Sequence, residues 1–165
     1  MSPALRPPLR PPLRPLLRAE IVAAARGWIG TPYQHQASLK GVGCDCLGLV
    51  RGVWRDLYGF EPEPPPPYRA DWAELGPDEP LLLAAQRHFV RAPDQSVLLP
   101  GDLLLFRMAP EAVTKHCALV SEGSGGSDYG RIIHAYWGRA AVESWLGPWW
   151  QRRLAARFFF PNLRD

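Results

Sequence analysis

The feature that most constrains this chain is a change of period partway along it. Up to about residue 90, apolar residues recur at helical spacing; beyond residue 100 they recur at strand spacing. Ile21, Ala24, Ala25 and Trp28 give one apolar face to a helix over Glu20–Gly30, which Thr31-Pro32 stops. Leu49, Val50, Val53, Trp54 and Leu57 do the same for a helix over Asp45–Tyr58, ended by Gly59. A third helix is expected over Asp78–Val90, with Asp78 as N-cap and Pro80 in its first turn. Strands follow at Leu103–Met108, His116–Ser121, Arg131–Tyr136, Ala141–Ser144 and Arg153–Phe160, with a Gly/Ser-rich turn over Glu122–Gly130. Helices first and a strand meander afterwards means an α+β fold, N-terminal helices packed on a roughly five-stranded antiparallel sheet.

Two Pro-rich stretches stand outside this pattern. Residues 1–18 (MSPALRPPLRPPLRPLLR) approach a Pro-Pro-Leu-Arg repeat, and repeated proline excludes a continuous helix there. A flexible or polyproline II arm is expected over 1–18, with a single domain over 19–165. The arm is no secretory signal, because Pro and Arg interrupt every apolar run. The second stretch, residues 61–67 (EPEPPPP), reads as a stiff linker.

Charge narrows the partners. Arg6, Arg10, Arg14 and Arg18, set against Glu20, carry the whole net charge of +3, so the other residues balance. A basic nucleic-acid-binding body is excluded. With 165 residues the chain can close one hydrophobic core, and no apolar run reaches the length of a membrane-spanning helix.

The chemistry centres on Cys46. It opens the second helix after a glycine-containing loop (GVGCDCLGL), where unpaired N–H groups and the helix dipole favour a thiolate. Gly48 allows close approach to the first turn. The competing reading is a small buried apolar residue. A cysteine nucleophile needs a base, and the base needs a third group to orient it. His116 opens one apolar strand and His134 sits inside the next, so the order Cys46, His116, His134 fits. Asp45 reads as the N-cap of the nucleophile helix and Asp102 as a turn residue. Zinc held by Cys44, Cys46, His116 and Cys117 is the main chemical competitor. Cys-x-Cys is tight for it, and adjacent His116 and Cys117 point to opposite faces of a strand. No metal or cofactor is expected. Three cysteines without a signal argue against a disulfide framework, and Cys44 reads as a packing residue or a redox partner of Cys46.

These residues resemble the NlpC family of bacterial cell-wall cysteine peptidases. The resemblance is carried by Gly30-Thr31-Pro32-Tyr33, by Asp45-Cys46-Leu47-Gly48-Leu49-Val50 and by Pro100-Gly101-Asp102 before an apolar strand. His116 and His134 at the following strands complete it, and it spans about residues 20–160. It implies a papain-like fold and a Cys46–His116–His134 triad acting on peptidoglycan stem peptides. It further implies an oxyanion site from the Cys46 backbone N–H and Tyr33, and cleavage between D-glutamate and a diamino acid. The loop Tyr33–Gly43, Pro64–Pro67 with Tyr68, and the run VESWLGPWW are similar to peptidases of phage tails and gene transfer agents. That likeness implies assembly in the cytoplasm, tail or baseplate proteins as partners, and action at the wall. Two departures stand out: His35-Gln36 where the family often has Gly-Gly, and Leu47 where it often has Ser. The alternatives from other classes are a tail adaptor that docks through Trp145, Trp149, Trp150 and Phe158–Phe160, and a papain-like amidase or acyltransferase on another substrate.

Overall fold

The computed structural model describes residues 12–68, 78–93, 97–125 and 129–164. Helix α1 (Arg18–Arg26) comes first, then a small hairpin of β1 (Ser38–Leu39) and β2 (Gly43–Cys44). Helix α2 (Cys46–Tyr58), helix α3 (Pro80–His88) and strand β3 (Val90–Arg91) follow. The second half holds β4 (Leu103–Arg107), β5 (Thr114–Glu122), β6 (Arg131–Ala135), β7 (Ala141–Trp145), the short helix α4 (Pro148–Gln151) and β8 (Leu154–Phe159). One antiparallel sheet runs in the order β3-β8-β4-β5-β6-β7.

The α+β architecture is as expected, with one strand more in the sheet. The extra strand arises where the third helix ends early. Phe89 leaves the helical conformation so that its ring can pack on Trp54 and Phe160, with centroids 5.2 and 5.0 Å apart. The chain then runs on as β3 against Phe158 and Phe159. The expected Asp78 cap is also corrected: Glu79 is the N-cap residue, and its carboxylate turns away to take the Thr114 backbone N–H and hydroxyl at 2.9 and 2.8 Å.

The helices lie on one face of the sheet. Ile21, Trp28, Leu49 and Val53 meet Leu103, Leu105, Leu119, Ile133 and Phe158 in the main core. The close seat of α1 on α2 needs Gly52, since a Cβ there would stand 1.9 Å from the Trp28 ring. The opposite face carries a second core of Leu104, Phe106, Ala118, Val120, Ile132 and Leu146, covered by Trp150. Phe158 and Phe160 are therefore core residues, whereas Trp145 and Trp149 are exposed.

Asp102 is more than a turn residue. It is fully buried between the Arg18 and Arg157 guanidinium groups, at 2.8 and 2.7 Å, and ties α1 to β4 and β8.

Of the expected arm, residues 1–11 lie outside the described residues. Residues 12–17 are seated on the body. Leu16 is 1% exposed, bridges to Leu163, and exchanges backbone hydrogen bonds with Asn162 and Arg164. The Arg14 side chain donates to the Leu57 carbonyl at 2.9 Å. Contacts to the body thus begin before residue 19. Leu16→Ala should lower unfolding free energy by about 2–5 kcal/mol in a denaturant titration, the range for emptying a buried leucine site. A change within about 0.5 kcal/mol would mean that Leu16 is not part of the core.

Candidate active site

Local chemistry at the start of α2 sets the position of the thiol. The Asp45 carboxylate takes the Gly48 N–H at 2.7 Å, satisfying one of the orphan donors of the first helical turn. Its other oxygen takes the Gln36 N–H at 2.7 Å and the Tyr68 hydroxyl. Gly48 is required by contact, because a Cβ there would lie 1.8 Å from the Ala37 carbonyl oxygen. Burial and the neighbouring Cys46 charge push the Asp45 carboxyl up, and its three hydrogen bonds oppose that.

The half-buried Cys46 then faces the sheet at the point where β5 and β6 part. Their ladder pairs Leu119, Val120 and Glu122 with Ile133, Ile132 and Arg131. Beyond it His134 and Ala135 continue in register with β7, while His116–Ala118 continue with β4. A bulge at Lys115 sits beside His116, since Phe106 pairs with His116 but Arg107 pairs with Thr114. The Cys46 thiol lies 3.9 Å from the Lys115 carbonyl oxygen.

His116 and Cys117 do point to opposite faces. The His116 ring stacks on Trp150 at 5.1 Å, whereas Cys117 belongs to the helix-side core. Both nonetheless reach Cys46, because the thiol sits at the parting of the strands. The Cys117 thiol donates to Cys46, and with the His116 ring and the Cys117 backbone N–H it holds the Cys46 thiol well below its ordinary range, against burial. The same contact and burial hold Cys117 well above the ordinary range. Burial, followed by the charges of Asp45 and Cys46, pushes Cys44 up to about 12. Of the three free cysteines, Cys46 alone has its thiolate favoured.

His116 Nε2 lies 2.8 Å from His134 Nδ1, and His134 Nε2 lies 2.9 Å from the Ser144 hydroxyl. Both rings are buried. Burial, and then the His116 charge, drives His134 down to about 3, so that ring is neutral near neutral pH. Tyr33 lies within electrostatic reach of Cys46 and Asp45. Its hydroxyl is pushed up to about 12 by burial and then by Asp45 and Cys46, so it keeps its proton as a hydrogen-bond donor.

The site residues named from sequence therefore gather at one place: Cys46, His116 and His134, with Tyr33, Asp45 and Gly48 around them. The His35-Gln36 departure has a local purpose. The His35 ring Nε2–H donates to the Tyr68 carbonyl at 2.9 Å, and the Gln36 side-chain amide donates to the same oxygen. Tyr68, Cys117 and Ser144 were not assigned to the site from sequence. Cys117 carried a signal, two apolar-strand cysteine and histidine positions side by side; Ser144 carried none without the strand register. No group able to hold a metal ion is found among the described residues, and none of the described helices is long and apolar enough to cross a membrane.

No family model matches the chain, and no curated protein matches it. Solved structures do. One is the NlpC/p60 domain of the peptidoglycan hydrolase SagA, at 23% identity and a TM-score of 0.53, with 86% of this chain and 97% of that chain covered. Another is described as similar to lipoprotein, of the NLP/P60 family, from Staphylococcus aureus subsp. aureus Mu50, at 20% identity and a TM-score of 0.55. The match covers 90% of this chain but 42% of that one, so this chain spans less than half of that protein. The fold is thus the papain-like α+β fold of NlpC/p60 domains.

The neutral His134 has a thermodynamic consequence. Its folded pKa is depressed below the unfolded value near 6.5. As pH falls through that window the unfolded state binds a proton that the folded state refuses, so stability drops. His134→Gln should flatten the loss of unfolding free energy between about pH 6.5 and pH 4. An equal pH slope in wild type and variant would contradict a neutral buried His134.

Proposed function

We propose that the protein is a cysteine peptidase of the bacterial cell wall. The observation that carries this reading is the hydrogen-bonded chain His116–His134–Ser144, with the His116 ring favouring the thiolate of Cys46 at the N-terminus of α2. The likeness in fold to peptidoglycan hydrolase domains supports it.

With Ser144 accepting the His134 Nε2–H, His134 Nδ1 accepts the His116 Nε2–H, and His116 Nδ1 is left to serve Cys46. The Cys46 thiolate attacks a carbonyl carbon of the stem peptide. The C–S bond forms as the carbonyl π pair moves to oxygen, where the Cys46 N–H at the helix start and the Tyr33 hydroxyl stabilise the charge. On collapse the C–N bond breaks and His116 delivers a proton to the leaving amine. His116 then takes a proton from water, which attacks the thioester and frees Cys46. His134 fixes the His116 ring without itself becoming charged.

The sequence resemblance supplies the finer reading: cleavage between D-glutamate and a diamino acid, by an enzyme carried in a phage-like tail and acting at the wall. Tail or baseplate proteins are its partners in that setting.

Purified sacculi incubated with the enzyme should release fragments whose masses and new termini identify a cut within the stem peptide. Cys46→Ala should release none. His116→Ala should slow release by a factor on the order of 100 or more. Undiminished release by folded Cys46→Ala would remove the nucleophile assignment, and release of intact stems would replace peptidase with another linkage.

A further inference from the structure

A cavity of about 520 Å³ lies on the helix side of the sheet, within the size range of small-molecule pockets. Leu47, Val50 and Trp54 of α2 form one wall and Leu81 and Ala84 of α3 another, over a floor of Leu103, Leu105 and Cys117. From Leu47 to Trp54 it follows about 10 Å of helix, at 1.5 Å per residue. It begins beside the nucleophile. Leu47 is the next residue after Cys46, and Cys117 is the neighbour whose hydrogen bonding favours the Cys46 thiolate.

The roof explains the EPEPPPPY segment, which the peptidase reading leaves without a task. Pro62, Pro65, Pro66 and Pro67 line the cavity. Proline brings an apolar ring and no N–H, so this strap crosses an apolar space without stranding donors in it. Tyr68 ends the strap and latches it to the site: its hydroxyl donates to Asp45, and its carbonyl accepts from His35 and Gln36.

The charges at the cavity are paired with one another. Arg51 is bonded to Glu61 at 3.0 Å, and Glu63 holds both Arg87 and His88. A charged stem-peptide group placed inside would be desolvated against apolar walls. The complementary occupant is an uncharged, extended apolar group.

We propose that this cavity binds an unbranched aliphatic acyl chain and presents its carbonyl carbon to Cys46. The inference shares the Cys46 nucleophile with the peptidase reading but does not rest on peptidoglycan as substrate. For an aryl ester, the thiolate attacks the acyl carbonyl, the C–S bond forms and the C–O bond to the phenolate breaks. Water then cleaves the thioester, with His116 carrying the proton, and releases the fatty acid.

The probe is a series of p-nitrophenyl esters from acetyl to octanoyl, read as Cys46-dependent kcat/KM and as the acyl-enzyme mass. The rate should rise roughly fourfold per added methylene over the first few, the value of about 0.8 kcal/mol per buried methylene. A flat or falling series overturns the proposal. In Ala84→Trp, which fills the cavity, the octanoyl-to-acetyl ratio should collapse toward one; an unchanged ratio places the chain elsewhere and overturns it. A measurement free of variants and of turnover decides the cavity by itself. Octanoate added to wild-type enzyme should give intermolecular NOEs from its methylenes to the Leu81, Leu103 and Leu105 methyls, and their absence at saturating octanoate overturns the proposal. NOEs without acylation by any ester would overturn the presentation of the carbonyl to Cys46, and would also count against Cys46 as the nucleophile of the peptidase reading.

Discussion

The site depends first on one buried carboxylate. Asp45 caps α2, holds the Gln36 N–H of the preceding loop and takes the Tyr68 hydroxyl from the proline strap. The helix start, the loop before it and the proline strap thereby converge on the residue before Cys46. Each bond goes to a carboxylate oxygen and so is stronger than a neutral one. The arrangement also has a cost, since Asp45 and the Cys46 thiolate are like charges one residue apart, and each raises the energy of the other. The donors around both groups offset that repulsion: Gly48, Gln36 and Tyr68 on Asp45, and Cys117 and His116 on Cys46.

The second requirement is a place where a helix terminus can meet both faces of a sheet. Side chains along a strand alternate, so no two neighbours on β5 could serve one thiol in an unbroken ladder. The parting of β5 from β6 leaves the end of the ladder open, so both faces can be approached there. Cys117 approaches from the core side and His116 from the side shielded by Trp150. His134 and Ser144 extend the line on that same shielded side, where burial keeps His134 neutral and therefore able to orient His116 without competing for its proton.

Much of this was legible in the chain. The change of period gave the layer order, and the helix start after GVGCD marked Cys46 as the candidate nucleophile. His116 at the start of one apolar strand and His134 inside the next marked the candidate base and its orienting group, because a cysteine nucleophile needs both. What stayed hidden depends on long-range register. Ser144 meets His134 only through the β6–β7 pairing, and the edge strand Val90–Arg91 exists because Phe89 packs on Trp54 and Phe160. His116 and Cys117 do point to opposite faces of β5, yet at the end of the sheet both act on the same Cys46 sulfur. Leu16 was hidden by its neighbours: a leucine among prolines and arginines reads as an arm until its bridge to Leu163 is seen.

The chemistry of the site requires the fold to favour the Cys46 thiolate through Cys117 and His116. Ultraviolet thiolate absorbance, followed against pH as the difference between wild type and Cys46→Ala, reads it directly. The expected result is a Cys46-dependent thiolate signal that persists below the free-thiol value of about 8.5 and is lost only on acidification well below it. A Cys46-dependent signal that appears only as pH rises through about 8.5 would mark an ordinary thiol and remove Cys46 as an activated nucleophile.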